Sequence, residues 1–151
     1  MKVVESLKNI LAEQVGSYSV LLDILHRERA HLLNLDAPEV EHISKEKDTV
    51  VLRLRLLEEE RLRLMKKLSA ESGIGCDTTL RMLSELTGDD TFQFIRLKLV
   101  SLLQGIREMN GFNRVIIERS LTAVKNTLLF LEPFDRRGNQ TRKGALLSKE
   151  A

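Results

Sequence analysis

Apolar residues recur along this chain at spacings of three, four or seven, and only short polar or glycine-containing stretches interrupt them. Val4, Leu7, Leu11, Tyr18, Leu21, Leu25 and Leu32 share one helical face, which predicts a first helix over residues 2–34. "NLDAPEV" breaks the pattern. There Asp36 is placed as an N-cap, Glu39 follows three residues later as in a capping box, and Pro38 falls in the first turn, where its missing N–H costs nothing. A second helix over about 37–72 carries Val40, Ile43, Lys47, Val50, Leu54, Leu57, Arg61, Leu64 and Leu68, a heptad seam sustained without a slip. At 1.5 Å per residue it would be about 50 Å long.

"ESGIGCD" ends that helix with two glycines, and a short helix over about 78–86 follows, with Asp77 as its expected cap. "TGDD" breaks again, and Asp89 or Asp90 caps the longest helix, roughly 90–132. Its seam reads Phe92, Ile95, Leu99, Leu102, Ile106, Met109, Asn113 and Ile116, then steps by one residue to Ile117, Leu121, Val124, Leu128 and Leu131. The step fits either a straight 3.6-residue helix outrunning a 3.5 repeat or a bend at Gly111. Pro133 is expected to stop the helix.

Three long helices joined by tight turns predict an all-α fold: an elongated antiparallel bundle with one short extra helix. The bundle domain spans 1–132, and the polar, basic remainder, 133–151, is expected to be a flexible tail. Residues that face each other in an antiparallel hairpin share a constant index sum. Lys47 and Arg61 put charge on the seam of the second helix, and Glu28 and Glu13 in the first helix complement them at nearly the same sum. Two cross-helix ion pairs, Glu28–Lys47 and Glu13–Arg61, are expected to set register more than to add stability.

Composition agrees with helices: 42% hydrophobic, 30% charged, 4% aromatic and two prolines. A net charge of +2 creates no strong field for nucleic acid or an anionic membrane, although residues 135–151 alone carry five basic and two acidic side chains. With the single Cys76, no disulfide or thiolate zinc site forms within one chain. The N-terminus does not read as a signal peptide and no stretch is apolar enough to span a membrane, so a soluble cytoplasmic protein without membrane insertion is expected.

The chain offers little chemistry. Glu39-x-x-His42 has the spacing of a di-iron half-site, but no histidine follows residue 42 to complete it. Cys76 and Ser120 have no base nearby in sequence, "SGIGCD" lacks the spacing of a phosphate-binding loop, and arginines alternate with glutamates instead of clustering with aromatics. A non-enzyme with no cofactor, no metal and no nucleic-acid partner is expected. What remains is apolar helix surface, which either receives an amphipathic partner helix or is consumed by the bundle's own core.

Two blocks carry a family resemblance. The first runs through Leu21-Leu22, Glu28, Leu32-Leu33, Asp36, Lys47, Leu54, Leu57, Glu58 and Arg61. The second is Asn110-x-x-Asn113-Arg114, then Ile117 and Ser120-Leu121. Together they resemble the FlgN family of flagellar type III export chaperones, over roughly residues 7–134. The resemblance implies a cytoplasmic chaperone. It would bind the helical C-terminal segment of the hook-filament junction proteins FlgK and FlgL, hold it unassembled and deliver it to the export-gate component FlhA. Substrate contact in the family lies toward the C-terminus, which points to Leu121, Val124, Leu128 and Leu131, with Leu146 and Leu147 in the tail. The family often carries a tyrosine and then a glycine just past the last helix, linked to gate docking. Here Phe134 and Gly138 stand in that place, so any such docking falls to Phe134 without a hydroxyl, and the alternative is a hydrophobic plug at the end of the bundle.

The second block also raises a physical question, because Asn110, Gly111 and Asn113 are poor helix formers in mid-helix. At a seam position Asn113 would fix register. Asn110, one turn away, can face the same partner, and Gly111 would let a neighbouring backbone approach. The runner-up to the chaperone is a homodimeric coiled-coil scaffold that pairs through the seam of the second helix.

Overall fold

The computed structural model describes residues 2–135. The described residues form four helices: α1, Lys2–Leu33; α2, Ala37–Ser72; α3, Leu80–Thr87; and α4, Thr91–Asp135. No strand occurs among the described residues. The fold class is the one the hydrophobic periodicity predicts. The chain divides into two compact units, Met1–Asn113 and Arg114–Ala151. Residues 114–132, which periodicity assigns to the bundle, therefore belong to the second unit.

The first unit is built on the α1–α2 hairpin. Asp36 caps α2 by accepting the Glu39 amide at 3.4 Å, with Pro38 in the first turn, and Leu35 completes the reversal at a left-handed φ of 55°. Gly73 ends α2 at φ 68°, a conformation that costs glycine no Cβ clash, and its N–H donates to Ser69 O. The α3 cap differs from expectation. Thr79, not Asp77, accepts the Met82 amide at 3.2 Å, because the helix begins at Leu80. Asp89 caps α4 through the Thr91 amide at 2.9 Å and also pairs with Lys8 of α1. Those two contacts hold the Asp89 carboxyl well below its ordinary range, at about 2. Helix α4 also runs through Pro133 to Asp135 instead of stopping before the proline. Proline's fixed φ is compatible with a helix, and in a last turn it removes only one hydrogen bond.

Two apolar clusters hold the first unit. Val3, Leu7 and Leu11 of α1 pack with Leu64, Met65 and Leu68 of α2, Leu83 of α3, and Phe92 and Ile95 of α4. Leu21 and Leu25 pack with Leu54, Ile106 and Met109. Within this unit α4 thus runs beside α1 in the same direction, and α2 runs against both. Gly105 marks the close approach, since a Cβ there would lie 3.3 Å from Leu22 Cδ2. Because Ile43, Leu54, Leu57, Leu64 and Leu68 are buried inside one chain, the α2 seam is not left over to pair with another copy, as the scaffold reading requires.

A polar layer lies between the clusters, and it corrects one expected ion pair. Gln14, not Glu13, occupies the seam position between Leu11 and Tyr18 and is buried, its amide donating to Glu58 Oε2 at 3.1 Å. Arg61 makes a two-pronged bond to the same Glu58, at 2.8 and 2.6 Å. Glu13 points off the seam and takes Arg53 at 2.6 Å. Index sums select residues at the same height but say nothing of the face they occupy, so Arg61 bonds the carboxylate one turn away on its own helix. The Arg61 guanidinium in turn holds Glu58 below the ordinary carboxylate range. An open cleft of about 240 Å³ beside this layer is floored by Leu7, Leu11 and Leu83.

Candidate partner-binding surface

The end of the buried seam on α4 is marked by Asn113. Its side chain is 2% exposed, and its Nδ2 donates to Leu25 O at 3.0 Å and to Glu28 Oε1 at 2.9 Å. Glu28 is itself buried and accepts from Lys47 Nζ on its other oxygen, at 2.7 Å. Asn113, Glu28 and Lys47 therefore join α4, α1 and α2 through one carboxylate. Asn113 and Glu28 replace leucines in two apolar seams, and such groups are tolerated inside a core only when bonded to each other. Asn113 Oδ1 is buried with no hydrogen-bond partner among the described residues. Nearby, the Arg29 guanidinium sits 5.3 Å from the centre of the Phe112 ring, a second tie between α1 and α4.

The neighbours of Asn113 do not share its environment. Asn110 is exposed and does not face the partners of Asn113. Gly111 is exposed too, with open space where a Cβ would stand, so no backbone approaches it and the close approach is at Gly105 instead. The reason is angular: Met109 and Asn113 define the buried face, and residues 110 and 111 point away from it. Replacing Gly111 with alanine is therefore expected to raise the unfolding free energy by about 0.5–1 kcal/mol in urea titrations, since only backbone entropy is at stake.

Past Asn113 the heptad spacing continues while burial does not. Ile116 is half-buried, and Ile117, Leu121, Val124, Leu128 and Leu131 are all exposed, Leu121 at 64%. Helix α1 ends at Leu33, little more than a turn beyond Glu28, whereas α4 continues from Asn113 to Asp135. An apolar stripe of five residues at alternating spacings of four and three is the pattern of a helix that pairs with another helix. Ser120 and Thr127 line one edge of the stripe, and Glu118 and Lys125 line the other. Leu146 and Leu147 lie outside the described residues, as does the side chain of Phe134. No described helix is long and apolar enough to cross a membrane.

Sequence reasoning missed Gln14 and the Lys8–Asp89 pair. Gln14 had a signal, because it fills a heptad gap between Leu11 and Tyr18, as Glu28 does between Leu25 and Leu32. Nothing in the sequence marks Lys8, whose partner Asp89 lies 81 residues away in a turn.

Among the described residues the chain is all-α, and its last helix carries an exposed apolar stripe with the spacing of a helix-pairing seam. The family comparison gives the class of protein. The model of the FlgN family, described as FlgN protein, matches residues 1–145, and the chain belongs to that family. No curated protein and no solved structure matches it. Membership gives the chain the general role of a flagellar export chaperone.

Proposed function

We propose that this chaperone binds the helical C-terminal segment of the hook-associated proteins FlgK and FlgL, and that the site is the stripe Ile117, Leu121, Val124, Leu128 and Leu131. The observation that carries the reading is the continuation of the α4 heptad into exposed positions: apolar area that contributes nothing to folding is available for binding. The mechanism is groove occupation. A substrate helix buries its assembly face against α4, so the same face cannot polymerise, and no bond is made or broken. The unit that ends at Asn113 is held by its own two apolar clusters, and the stripe follows it in the sequence of α4. Leu146 and Leu147, which follow α4 in the sequence, add to the contact, and Phe134 in the last turn of α4 is an apolar anchor for the export-gate component FlhA.

Calorimetry with C-terminal helical peptides of the two junction proteins tests the site. The native chain should bind, and Leu121→Glu with Leu128→Glu should weaken binding by about 100-fold or more, since each places a charge where an apolar anchor must be desolvated. Both positions are exposed, so the melting temperature should stay near the native value. Equal binding by the variant would remove the stripe from the site, and no binding by the native chain would remove the substrate reading.

A further inference from the structure

We propose that the same stripe pairs with the stripe of a second copy of this chain, antiparallel and in one register, so that two substrate-free molecules cover each other's binding face. The competition with substrate rests on the function proposed above; the pairing does not.

The register follows from the residues on and beside the stripe. Two antiparallel α4 segments that meet between Thr122 and Ala123 place Leu121 over Val124 of the second copy, and Ile117 over its Leu128. In antiparallel helix pairs, equivalent edges face one another on each side of the apolar seam. This register therefore sets Glu118 against Lys125 of the second copy and Lys125 against its Glu118, while Ser120 meets Thr127 on the other edge. Thr127 already donates its hydroxyl to Ala123 O at 2.9 Å, and its oxygen can still accept from the Ser120 hydroxyl of the second copy. The charge pairs occur twice by symmetry, as an isologous interface requires.

Neither one-heptad shift nor parallel pairing does as well. A shift of one heptad sets Lys125 against Lys125, and a shift the other way sets Glu118 against Glu118. In a parallel pair each of these charges faces the edge residue five positions earlier, so Lys125 meets Ser120 and Glu118 meets Asn113, and neither gains a charged partner. Within one chain Glu118 accepts from Arg114 Nε at 3.1 Å, but both side chains are exposed, and such a pair is weak competition. Four apolar residues a side meet in this register, with Leu131 opposite Arg114 of the second copy, which gives an interface below the roughly 1,200 Å² of stable complexes. The dimer is accordingly a weak one, suited to release when a longer substrate helix arrives.

Sedimentation equilibrium on the full chain at low salt tests the pairing. The native chain should follow a monomer–dimer equilibrium. Glu118→Lys or Lys125→Glu alone should raise the dissociation constant about tenfold or more, because each replaces two attractions with two repulsions. The double variant should return close to the native constant. An equimolar mixture of the two single variants should form a heterodimer although neither pairs with itself, since one then carries two positive edge charges and the other two negative. A native chain that is monomeric throughout, single variants that dimerise normally, or a double variant that fails to recover would each overturn the pairing. Titrating a junction-protein peptide into the dimer should dissociate it. A monomeric chain that binds the peptide overturns the pairing and leaves the function standing; a dimer that ignores the peptide overturns the function and leaves the pairing.

Discussion

Asn113→Asp should lower the stability of the bundle by about 3 kcal/mol at neutral pH, the largest single loss expected from an isosteric change in this protein. The native amide donates at 2.9 Å to a buried Glu28 carboxylate. The substitution turns that donor into a second carboxylate, and Lys47 can neutralise only one of the two. Two carboxylates that share a site hold a proton between them, so their folded-state pKa rises above the unfolded value. The sign follows from that: stability is recovered as pH falls through the raised pKa, toward about 5, where the unfolded chain still holds its carboxylates ionised. Urea unfolding of native and variant chains at neutral pH and at mild acid checks this. A variant as stable as the native chain at neutral pH would mean that the three-residue network does not form. Asn113→Leu should cost less than the aspartate, because it removes the unpartnered Oδ1 along with the two donated bonds.

The second large effect is a contrast between two residues of one helix. Ile106→Ala should cost about 3 kcal/mol, and Leu128→Ala should cost less than about 0.5 kcal/mol. Both occupy heptad positions of α4, but Ile106 is 7% exposed and packs with Leu21, Leu25 and Met109, whereas Leu128 is 54% exposed. Alanine at 106 leaves a cavity, and alanine at 128 leaves only more water. Binding should show the reverse order: Leu128→Ala should weaken peptide affinity about tenfold, and Ile106→Ala should leave it near native under conditions where the variant is folded. Thermal melts and calorimetry on the same two variants separate the supporting half of α4 from the binding half. Equal losses of stability would show that the seam beyond Asn113 is buried after all.

The pattern of Asn110, Gly111 and Asn113 shows where sequence reading succeeds and where it stops. A polar residue on an apolar seam is visible in the periodicity, and Asn113 proved to be buried. Its neighbours carry the same poor helix propensity without any packing role, because propensity reports the backbone and not the face. The pair Glu28–Lys47 could be anticipated from opposite charges at matching height. Glu13–Arg61 met the same test, yet Arg61 bonds Glu58 and Glu13 bonds Arg53.

Helix existence, hairpin order, the cap at Asp36, the glycine stop at the end of α2 and the heptad spacing of α4 with its one-residue step were determined by the sequence alone. Each depends on neighbours three or four residues away, and local geometry settles such contacts. Only the tertiary structure decided which stretches of that heptad are buried. Ile106 and Leu128 both lie on stripes of heptad spacing, and what separates them is that Ile106 packs with Leu21, Leu25 and Leu54 whereas Leu128 is exposed. The joining of Asn113, Glu28 and Lys47 is of the same kind, since a shared carboxylate depends on three helices meeting at one height. Periodicity along one chain names the face of a helix, and only packing names what that face touches.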